Sequence, residues 1–142
     1  MKDNRAFVDT NIFVYASLEE KQQGDKRDKS IALLQSLSDK VVYINTQVLH
    51  EIYSVMLRHG IDEKEIQDKL SVIIRETKLS VIRLKTVKRC WDMRQKYKYS
   101  YWDCLILASA LENDCAVVYS EDMQHNQIIG QSLRIINPFI QK

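Results

Sequence analysis

The sequence predicts an α/β protein, namely a three-layer α/β/α single domain with a central, mostly parallel sheet. Short apolar runs rich in β-branched residues alternate along the chain with longer segments of helical periodicity. Strands separated by helices favour a parallel sheet covered on both faces, because a parallel crossover needs a connection of helix size. The 142 residues include one proline and three glycines, without a repeat or a linker, so we expect residues 1–142 to form one domain.

The predicted strands are short apolar runs bounded by polar residues. The first is the run A-F-V, and the second, V-V-Y-I, combines the β-branched and aromatic residues that suit a pleated surface. Three similar runs follow later in the chain. The predicted strands are Ala6–Val8, Val41–Ile44, Ser80–Leu84, Ala116–Tyr119 and Leu133–Ile136.

Between the strands, apolar residues recur at spacings of three and four, which predicts helices. Val48, Ile52 and Val55 mark such a stripe in one segment. After the first strand, only a helical turn following Asp9 is expected. The predicted helices run from about Lys26 to Ser38, Thr46 to Arg58, Asp62 to Thr77, Thr86 to Tyr97 and Tyr101 to Asn113.

Composition excludes several classes of protein. The formal charge of +2 is too small to indicate a nucleic-acid or membrane partner by itself. The start of the chain lacks the apolar core of a signal peptide, and no apolar run approaches bilayer length, so we expect a cytoplasmic protein without a membrane partner. Three cysteines without CxxC spacing predict reduced thiols and argue against a zinc site.

Four acidic residues stand at the positions where a parallel sheet presents its carboxyl ends. Asp9 and Asp122 follow predicted strands, whereas Glu51 and Asp103 lie in the early turns of predicted helices. Each also has an ordinary structural explanation. Asp9 and Asp122 suit helix caps or turns, Glu51 could pair with a nearby Lys or Arg, and Asp103 could form a capping box with Ser100.

Together the four acids predict a metal site, since ligands of open parallel sheets bind beyond the carboxyl ends of the strands. Carboxylates gathered there would repel one another unless a cation compensated them. Ligation by oxygen alone, without His or Cys, favours Mg²⁺ or Mn²⁺. Glu121, which precedes Asp122, is expected to turn toward solvent.

The segments around these acids resemble the four acidic motifs of PIN-domain ribonucleases. They read FVDTN around Asp9, VLHEI around Glu51, YWDCLILASAL around Asp103 and YSEDM around Asp122. The resemblance extends from Arg5 to Phe139 and is greatest to the VapC-type toxins of toxin-antitoxin pairs. It implies a PIN-like fold and a Mg²⁺- or Mn²⁺-dependent endoribonuclease that hydrolyses RNA with metal-activated water and leaves a 5′-phosphate and a 3′-hydroxyl.

The resemblance also implies a role for each residue of the site. Asp9 and Asp103 would be the main metal ligands, Asp122 would complete the metal shell, and Glu51 would orient or deprotonate the attacking water. The catalytic set is thus Asp9, Glu51, Asp103 and Asp122, of which the three aspartates hold metal. The supporting residues are Thr10 and Asn11, which could donate hydrogen bonds, and Ser120, which could orient a carboxylate or water.

Partners follow from the same resemblance: a tRNA, rRNA or mRNA substrate, a cognate antitoxin protein and a second copy in a homodimer. The helices about Asp62 to Thr77 and Lys26 to Ser38 are the predicted contact surfaces. Two alternatives stay open, a PIN-domain RNA-processing nuclease without an antitoxin and a non-catalytic RNA- or protein-binding module. A haloacid-dehalogenase-like phosphatase is disfavoured by Asn11, where that chemistry needs an acid, and a Rossmann module by the missing glycine-rich turn.

A basic and aromatic segment precedes Asp103. From Arg83 to Trp102 the chain has seven basic residues against one acid, interleaved with tyrosines and two tryptophans. Such residues can hold phosphates and stack unpaired bases, and Lys96, Lys98 and Tyr99 are the predicted RNA contacts. A solvated helix face with core aromatics would give the same pattern. Lys26, Arg27 and Lys29 are interpreted as ordinary surface.

Overall fold

A computed structural model describes residues 2–18 and 24–140 of the protein. Its strands form one sheet in the order β3-β2-β1-β4-β6-β5. All neighbouring strands are parallel except the last pair, in which β5 runs antiparallel to β6. The strands are β1 (Arg5–Val8), β2 (Val41–Asn45), β3 (Lys78–Ser80), β4 (Val117–Tyr119), β5 (Ile128–Ile129) and β6 (Leu133–Ile136).

Helices cover the sheet and confirm the predicted three-layer α/β/α fold. They are α1 (Thr10–Ser17), α2 (Lys26–Ser36), α3 (Thr46–Arg58), α4 (Glu63–Glu76), α5 (Leu84–Lys96) and α6 (Tyr101–Glu112), with a short 3₁₀ turn at Lys2–Asn4. Helix α1 packs against α2 and α3, α3 packs against α4, and α5 pairs with α6. In the described part of the chain, no helix has the length and apolar content that a bilayer crossing requires.

The core explains why α6 is apolar on nearly every side. From Cys104 to Ala110 every residue of this helix is buried, between its partner α5 and strands β2 and β4. Cys90, Cys104 and Cys115 are free and buried, as predicted for reduced thiols. A helix held this firmly gives a rigid position to its first turn, which carries Asp103.

The third strand was placed wrongly by the sequence pattern, at Ser80–Leu84. It lies at Lys78–Ser80, and Leu84 already begins α5. Its partner β2 ends at Asn45, which caps α3, so no strand edge continues beside residues 81–84. The Ile82 N–H instead donates to the Thr46 hydroxyl at 3.3 Å, and Arg83 becomes the N-cap of α5.

One α-helix and one β-strand were not predicted. Helix α1 is eight residues long rather than a turn, and its apolar residues Ile12, Phe13 and Val14 are consecutive, so they lack helical spacing. They are all buried because the helix is enclosed by α2 and α3. Strand β5 has two residues, which is too short to show an alternating pattern.

Asn45 joins the two helices that carry Glu51 and Asp103. Its side-chain oxygen accepts from the Val48 N–H at 3.0 Å and caps α3, while its Nδ2 donates to the Ser109 hydroxyl of α6 at 2.9 Å. Asn45 is fully buried. Replacement by alanine removes the cap and leaves buried polar groups unpaired, so we expect Asn45→Ala to lower the free energy of unfolding by about 2 kcal/mol.

Urea unfolding would measure this loss, with Asp62→Ala as the matched control. Asp62 caps α4 in the same way, accepting from the Lys64 N–H at 3.1 Å, but it is exposed. Its replacement should cost less than about 1 kcal/mol, because water replaces the lost acceptor. Equal losses in the two variants would mean that the bond to Ser109 adds nothing to stability.

Candidate functional site

The candidate site lies at the carboxyl edge of the sheet, where the strand order reverses. Strand β1 has β2 on one side and β4 on the other, so the chain departs in opposite directions from this point. Val8 is paired with Tyr119, and the Asp9 N–H continues the ladder by donating to the Tyr119 carbonyl at 3.0 Å. Parallel pairing therefore brings Asp9 beside the segment that contains Ser120 and Asp122. Such a switch point is where open α/β sheets bind ligands.

Three of the predicted acids come together there. One carboxylate oxygen from each of Asp9, Asp103 and Asp122 lies within 4.8 Å of the others. Asp103 reaches the group from the first turn of α6, whose N-terminus is capped by Ser100 as predicted, with the Asp103 N–H donating to the serine hydroxyl at 3.1 Å. The residues predicted to hold metal therefore form a single cluster.

The predicted supporting residues hold the carboxylates in place. Asp9 is buried and accepts from the Thr10 N–H at 2.7 Å on one oxygen and from the Ser120 hydroxyl at 2.9 Å on the other. Thr10 also donates its hydroxyl to Glu51 at 3.0 Å. Asn11 Nδ2 lies 3.4 Å from Asp122 Oδ2, which is a long contact. Asp9 and Glu51 are thereby fixed by Thr10 of α1 and by Ser120, which directly follows β4.

Gln47 is a member of the site that the sequence analysis missed. Its amide nitrogen donates to Glu51 Oε1 at 3.3 Å and to the Trp102 carbonyl at 3.2 Å. The first bond joins residues four apart on α3, and this spacing was the available indication. Glu51 thus receives donors from both Thr10 and Gln47 on one oxygen, which sets the direction of its carboxylate.

Burial and mutual repulsion raise the pKa values of the three aspartates in the cluster. Burial raises the pKa of Asp9 to about 7 and outweighs the opposing effect of its two hydrogen bonds, while the charges of Glu51 and Asp103 add smaller upward contributions. Burial and the charge of Asp122 raise the pKa of Asp103, and burial and the charge of Glu121 raise that of Asp122. Among the described residues, these carboxylates therefore lack sufficient compensating positive charge.

A hard divalent cation fits this donor set. All three aspartates offer oxygen, the ligand that Mg²⁺ and Mn²⁺ prefer. Two oxygens on one Mg²⁺ at about 2.1 Å each can be no more than about 4.2 Å apart. A spread of up to 4.8 Å thus requires a small closure, which the exposed Asp122 can supply, or ligation of one carboxylate through water.

Arg58 is a second residue of the site that the sequence pattern did not predict. The four acids line a cavity of about 210 Å³, which we call the acidic crevice. Arg58 is the one basic residue among the described residues that line it. It lies seven residues after Glu51, two turns along the same face of α3, which could have indicated its position. Within residues 2–18 and 24–140 its exposed guanidinium forms no ion pair.

Glu121 does not turn toward solvent, contrary to the prediction. It accepts from the Tyr15 hydroxyl at 2.6 Å and forms an ion pair with Lys26. The Lys26 ammonium also lies over the rings of Tyr15 and Phe139, 5.1 and 5.6 Å from their centroids. Lys26 is therefore a structural cation rather than ordinary surface. This pairing draws Glu121 toward α1 and α2, while the neighbouring Asp122 joins the metal-binding cluster.

The predicted RNA contacts differ in their surroundings. Lys96 and Lys98 are exposed. Tyr99 is packed against the core, and its hydroxyl accepts from the Gln124 N–H at 3.1 Å and donates to Gln127, so its ring is held in the structure. The role of these residues in RNA binding stays a prediction. The exposed aromatic side chain beside the acids is instead Trp102, 60% exposed.

Comparisons with known proteins agree with this fold. Residues 6–129 match the family described as PIN domain. No curated protein sequence matches the chain. Similar solved structures include a toxin-antitoxin complex from Klebsiella pneumoniae, 19% identical over 94% of this chain and 98% of that chain, with a TM-score of 0.71.

Two further solved structures share the fold. VapBC2 from Rickettsia felis, bound to a DNA fragment from its promoter, is 17% identical over 94% of this chain and 99% of that chain, with a TM-score of 0.68. The sarcin-ricin loop cleaving toxin VapC20 from Mycobacterium tuberculosis is 14% identical over 80% of this chain and 86% of that chain, with a TM-score of 0.63.

Proposed function

The chain belongs to the PIN-domain family, and from that premise we propose that it is a metal-dependent endoribonuclease, the toxin of a type II toxin-antitoxin pair. The observation that carries the proposal is the cluster of Asp9, Asp103 and Asp122, with ligand oxygens within 4.8 Å of one another at the switch point of the sheet. The names of similar structures, a toxin-antitoxin complex and a sarcin-ricin loop cleaving toxin, support the choice of toxin and of RNA.

In this proposal the three aspartates hold Mg²⁺ or Mn²⁺. A bound ion would lower the pKa of water and neutralise charge on the phosphoryl oxygens. Glu51 orients the attacking water and accepts its proton, because Thr10 and Gln47 fix the direction of its carboxylate. Ser120 keeps Asp9 aligned through its hydrogen bond, and Asn11 does the same for the more exposed Asp122.

Arg58 is proposed to bind a phosphate of the RNA at the mouth of the crevice. Its guanidinium is exposed, lines the acidic crevice and has no ion-pair partner among the described residues, so it is available to a phosphate. We expect Arg58→Ala to weaken RNA binding by about 10-fold and to reduce the slope of log affinity against log salt by about 1.

Arg75→Ala is the matched control for Arg58→Ala. Both arginines are exposed and lie in the last turn of a helix, but Arg75 is on α4 and does not line the acidic crevice. Binding of a labelled RNA at several salt concentrations would separate them. If both variants weakened binding equally, the effect of Arg58 would be one of general charge and not of a specific contact.

The proposed partners are RNA, a small antitoxin and a second copy of the chain. The Rickettsia felis and Klebsiella pneumoniae structures are of complexes, which supports an antitoxin for this protein. Helices α2 and α4 remain the proposed contact surfaces, and α4 exposes the apolar side chains of Val72 and Ile74. Co-expression with the product of a small neighbouring gene, followed by co-purification and relief of toxicity, would test this part.

The experiment that tests the activity is cleavage of purified tRNA and rRNA with Mg²⁺ or Mn²⁺, against the same reaction with EDTA. We expect discrete products with the metal and none with EDTA. End-labelling of the products would show whether they carry the 5′-phosphate that the proposal requires. Binding of RNA without cleavage across a broad panel of RNAs would instead favour a non-catalytic binding module.

A further inference from the structure

The acidic crevice continues into a second, mostly apolar pocket. This open pocket has a volume of about 420 Å³ and shares Gln47 and Glu51 with the crevice. Its apolar walls are Ile82, Leu105 and Trp102, and His50 lies at its border. A strand that places a phosphate against the acids therefore passes directly beside an apolar surface.

Trp102 is the main feature of this pocket. It is 60% exposed, although it precedes Asp103 and belongs to helix α6, which is buried from Cys104 to Ala110. Its ring contacts that of Tyr101 edge to face, with centroids 5.4 Å apart and an interplanar angle of 81°. The Trp102 carbonyl accepts from Gln47 and thereby ties its backbone to the residue that orients Glu51. The indole is thus held beside the site rather than on a free loop.

The charge of the crevice indicates which kind of ligand group binds in the neighbouring apolar pocket. Four carboxylates and one arginine line the crevice, so it repels phosphate until a cation is present. Affinity for an RNA strand must then come partly from contacts other than charge. Aromatic side chains supply it by stacking on unpaired bases, which is how single-stranded RNA is commonly held.

The polar border of the pocket suits the edge of a base. The side-chain oxygen of Gln47 is buried and has no hydrogen-bond partner among the described residues, because both bonds of this amide use the nitrogen. An amino or imino group of a nucleobase is a donor that this oxygen would accept if the Gln47 amide turned toward the pocket. The imidazole of His50 offers a further donor or acceptor at the border.

We propose that this pocket holds a nucleobase of the RNA strand, on the nucleotide next to the cleaved phosphate, with the base stacked on Trp102. The inference rests on the proposed ribonuclease activity and specifies how that site holds its substrate. Trp102 is then a binding residue for a base rather than a phosphate contact. Its contribution depends on the presence of that base.

Cleavage of matched oligoribonucleotides tests the proposal. After the cleavage site is mapped, each flanking nucleotide is replaced by an abasic one, and wild type is compared with Trp102→Ala. We expect Trp102→Ala to lower kcat/KM on the intact strand by about 5- to 100-fold. One of the two abasic strands should slow the wild type similarly, and on that strand the substitution should have little further effect. Equal effects of Trp102→Ala on intact and abasic strands would overturn the proposal.

Ile128→Ala is the control, since Ile128 is an apolar side chain of β5 that is 42% exposed and does not line the pocket. It should retain kcat/KM within about twofold on the intact strand. Sedimentation of Trp102→Ala tests whether a second copy of the chain, and not a base, fills the pocket. If the variant dissociates a wild-type dimer, and activity returns at high protein concentration, the pocket is an interface between copies and the proposal is wrong.

A binding measurement separates failure of this inference from failure of the proposed function. Trp91→Phe leaves Trp102 as the single indole, so its fluorescence reports on the pocket without cleavage. Titration with a short single-stranded oligoribonucleotide in EDTA should quench it, and the abasic strand should quench it less. Quenching in EDTA, together with no cleavage of the same strand in Mg²⁺ or Mn²⁺, would keep the base pocket and exclude the nuclease. Cleavage with metal but without base-dependent quenching would exclude the pocket alone.

Discussion

Asp103→Asn is expected to reduce metal-dependent RNA cleavage by more than about 100-fold while leaving the protein folded. The asparagine has the shape of aspartate but removes one of the three negative ligands that lie within 4.8 Å of one another. The cap of α6 is retained, because the Ser100 hydroxyl accepts from the backbone N–H of residue 103, which the substitution leaves in place. Burial and the neighbouring charge of Asp122 raise the pKa of Asp103, so a neutral amide is tolerated there.

Single-turnover cleavage and thermal unfolding, measured on the same preparations, check this prediction. Asp92→Asn is the matched control, since Asp92 is an exposed acid on α5 outside the crevice. It should cleave RNA within about twofold of wild type. Retained cleavage by Asp103→Asn would mean that the carboxylate cluster is not the catalytic site, even if the protein is a ribonuclease.

The positions of the acids were predictable because they depend on local patterns. Asp9 and Asp122 follow apolar runs that form strands β1 and β4, and Asp103 lies in the first turn of a helix that is apolar on nearly every side. Each pattern specifies which end of an element the acid occupies. The rule that parallel strands present their carboxyl ends at one edge then brings the acids together without knowledge of the tertiary contacts.

The features that were missed depend on contacts between distant elements. Lys26 and Glu121 are 95 residues apart, and only the packing of α2 beside the β4 segment makes them partners. A helix of mixed charge is usually exposed, which is why Lys26 was interpreted as surface. Its local sequence carries no information about the contact with Glu121. Arg58 and Gln47 likewise look like ordinary polar residues of an amphipathic helix until α3 is placed against the crevice.

The error in the third strand has the same origin. The run Val81–Ile82 has good strand propensity, but propensity cannot create a strand where the neighbouring edge has ended. Asn45 ends β2 by capping α3. Its side chain also donates a hydrogen bond to Ser109 of α6, which is a tertiary contact. Local preference therefore located the elements within a few residues, whereas the ends of neighbouring elements decided their final bounds.

Binding of Mg²⁺ is expected to stabilise the protein strongly above about pH 7 and weakly near pH 5, because protons compete for the same carboxylates. Burial raises the pKa of Asp9 from 3.8 to about 7. Because the folded value is the higher, the folded protein binds this proton more tightly than the unfolded chain. The stability that the proton provides is complete below pH 3.8 and is lost as the pH rises to about 7. At higher pH, the ionised Asp9 costs the metal-free fold on the order of 4 kcal/mol.

Asp9→Asn isolates this contribution from the other titrating groups. Asparagine can accept from the Thr10 N–H, and its amide can donate to the Ser120 hydroxyl, so the local bonds can be re-formed. Thermal unfolding with Mg²⁺ or EDTA, between about pH 5 and pH 8, gives the comparison. The metal-free variant should exceed wild type in stability above pH 7 and lose most of the Mg²⁺ effect. A metal-free variant less stable than wild type at pH 8 would contradict an uncompensated buried carboxylate, because the charge at Asp9 would then be stabilised by the protein itself and would not need a cation.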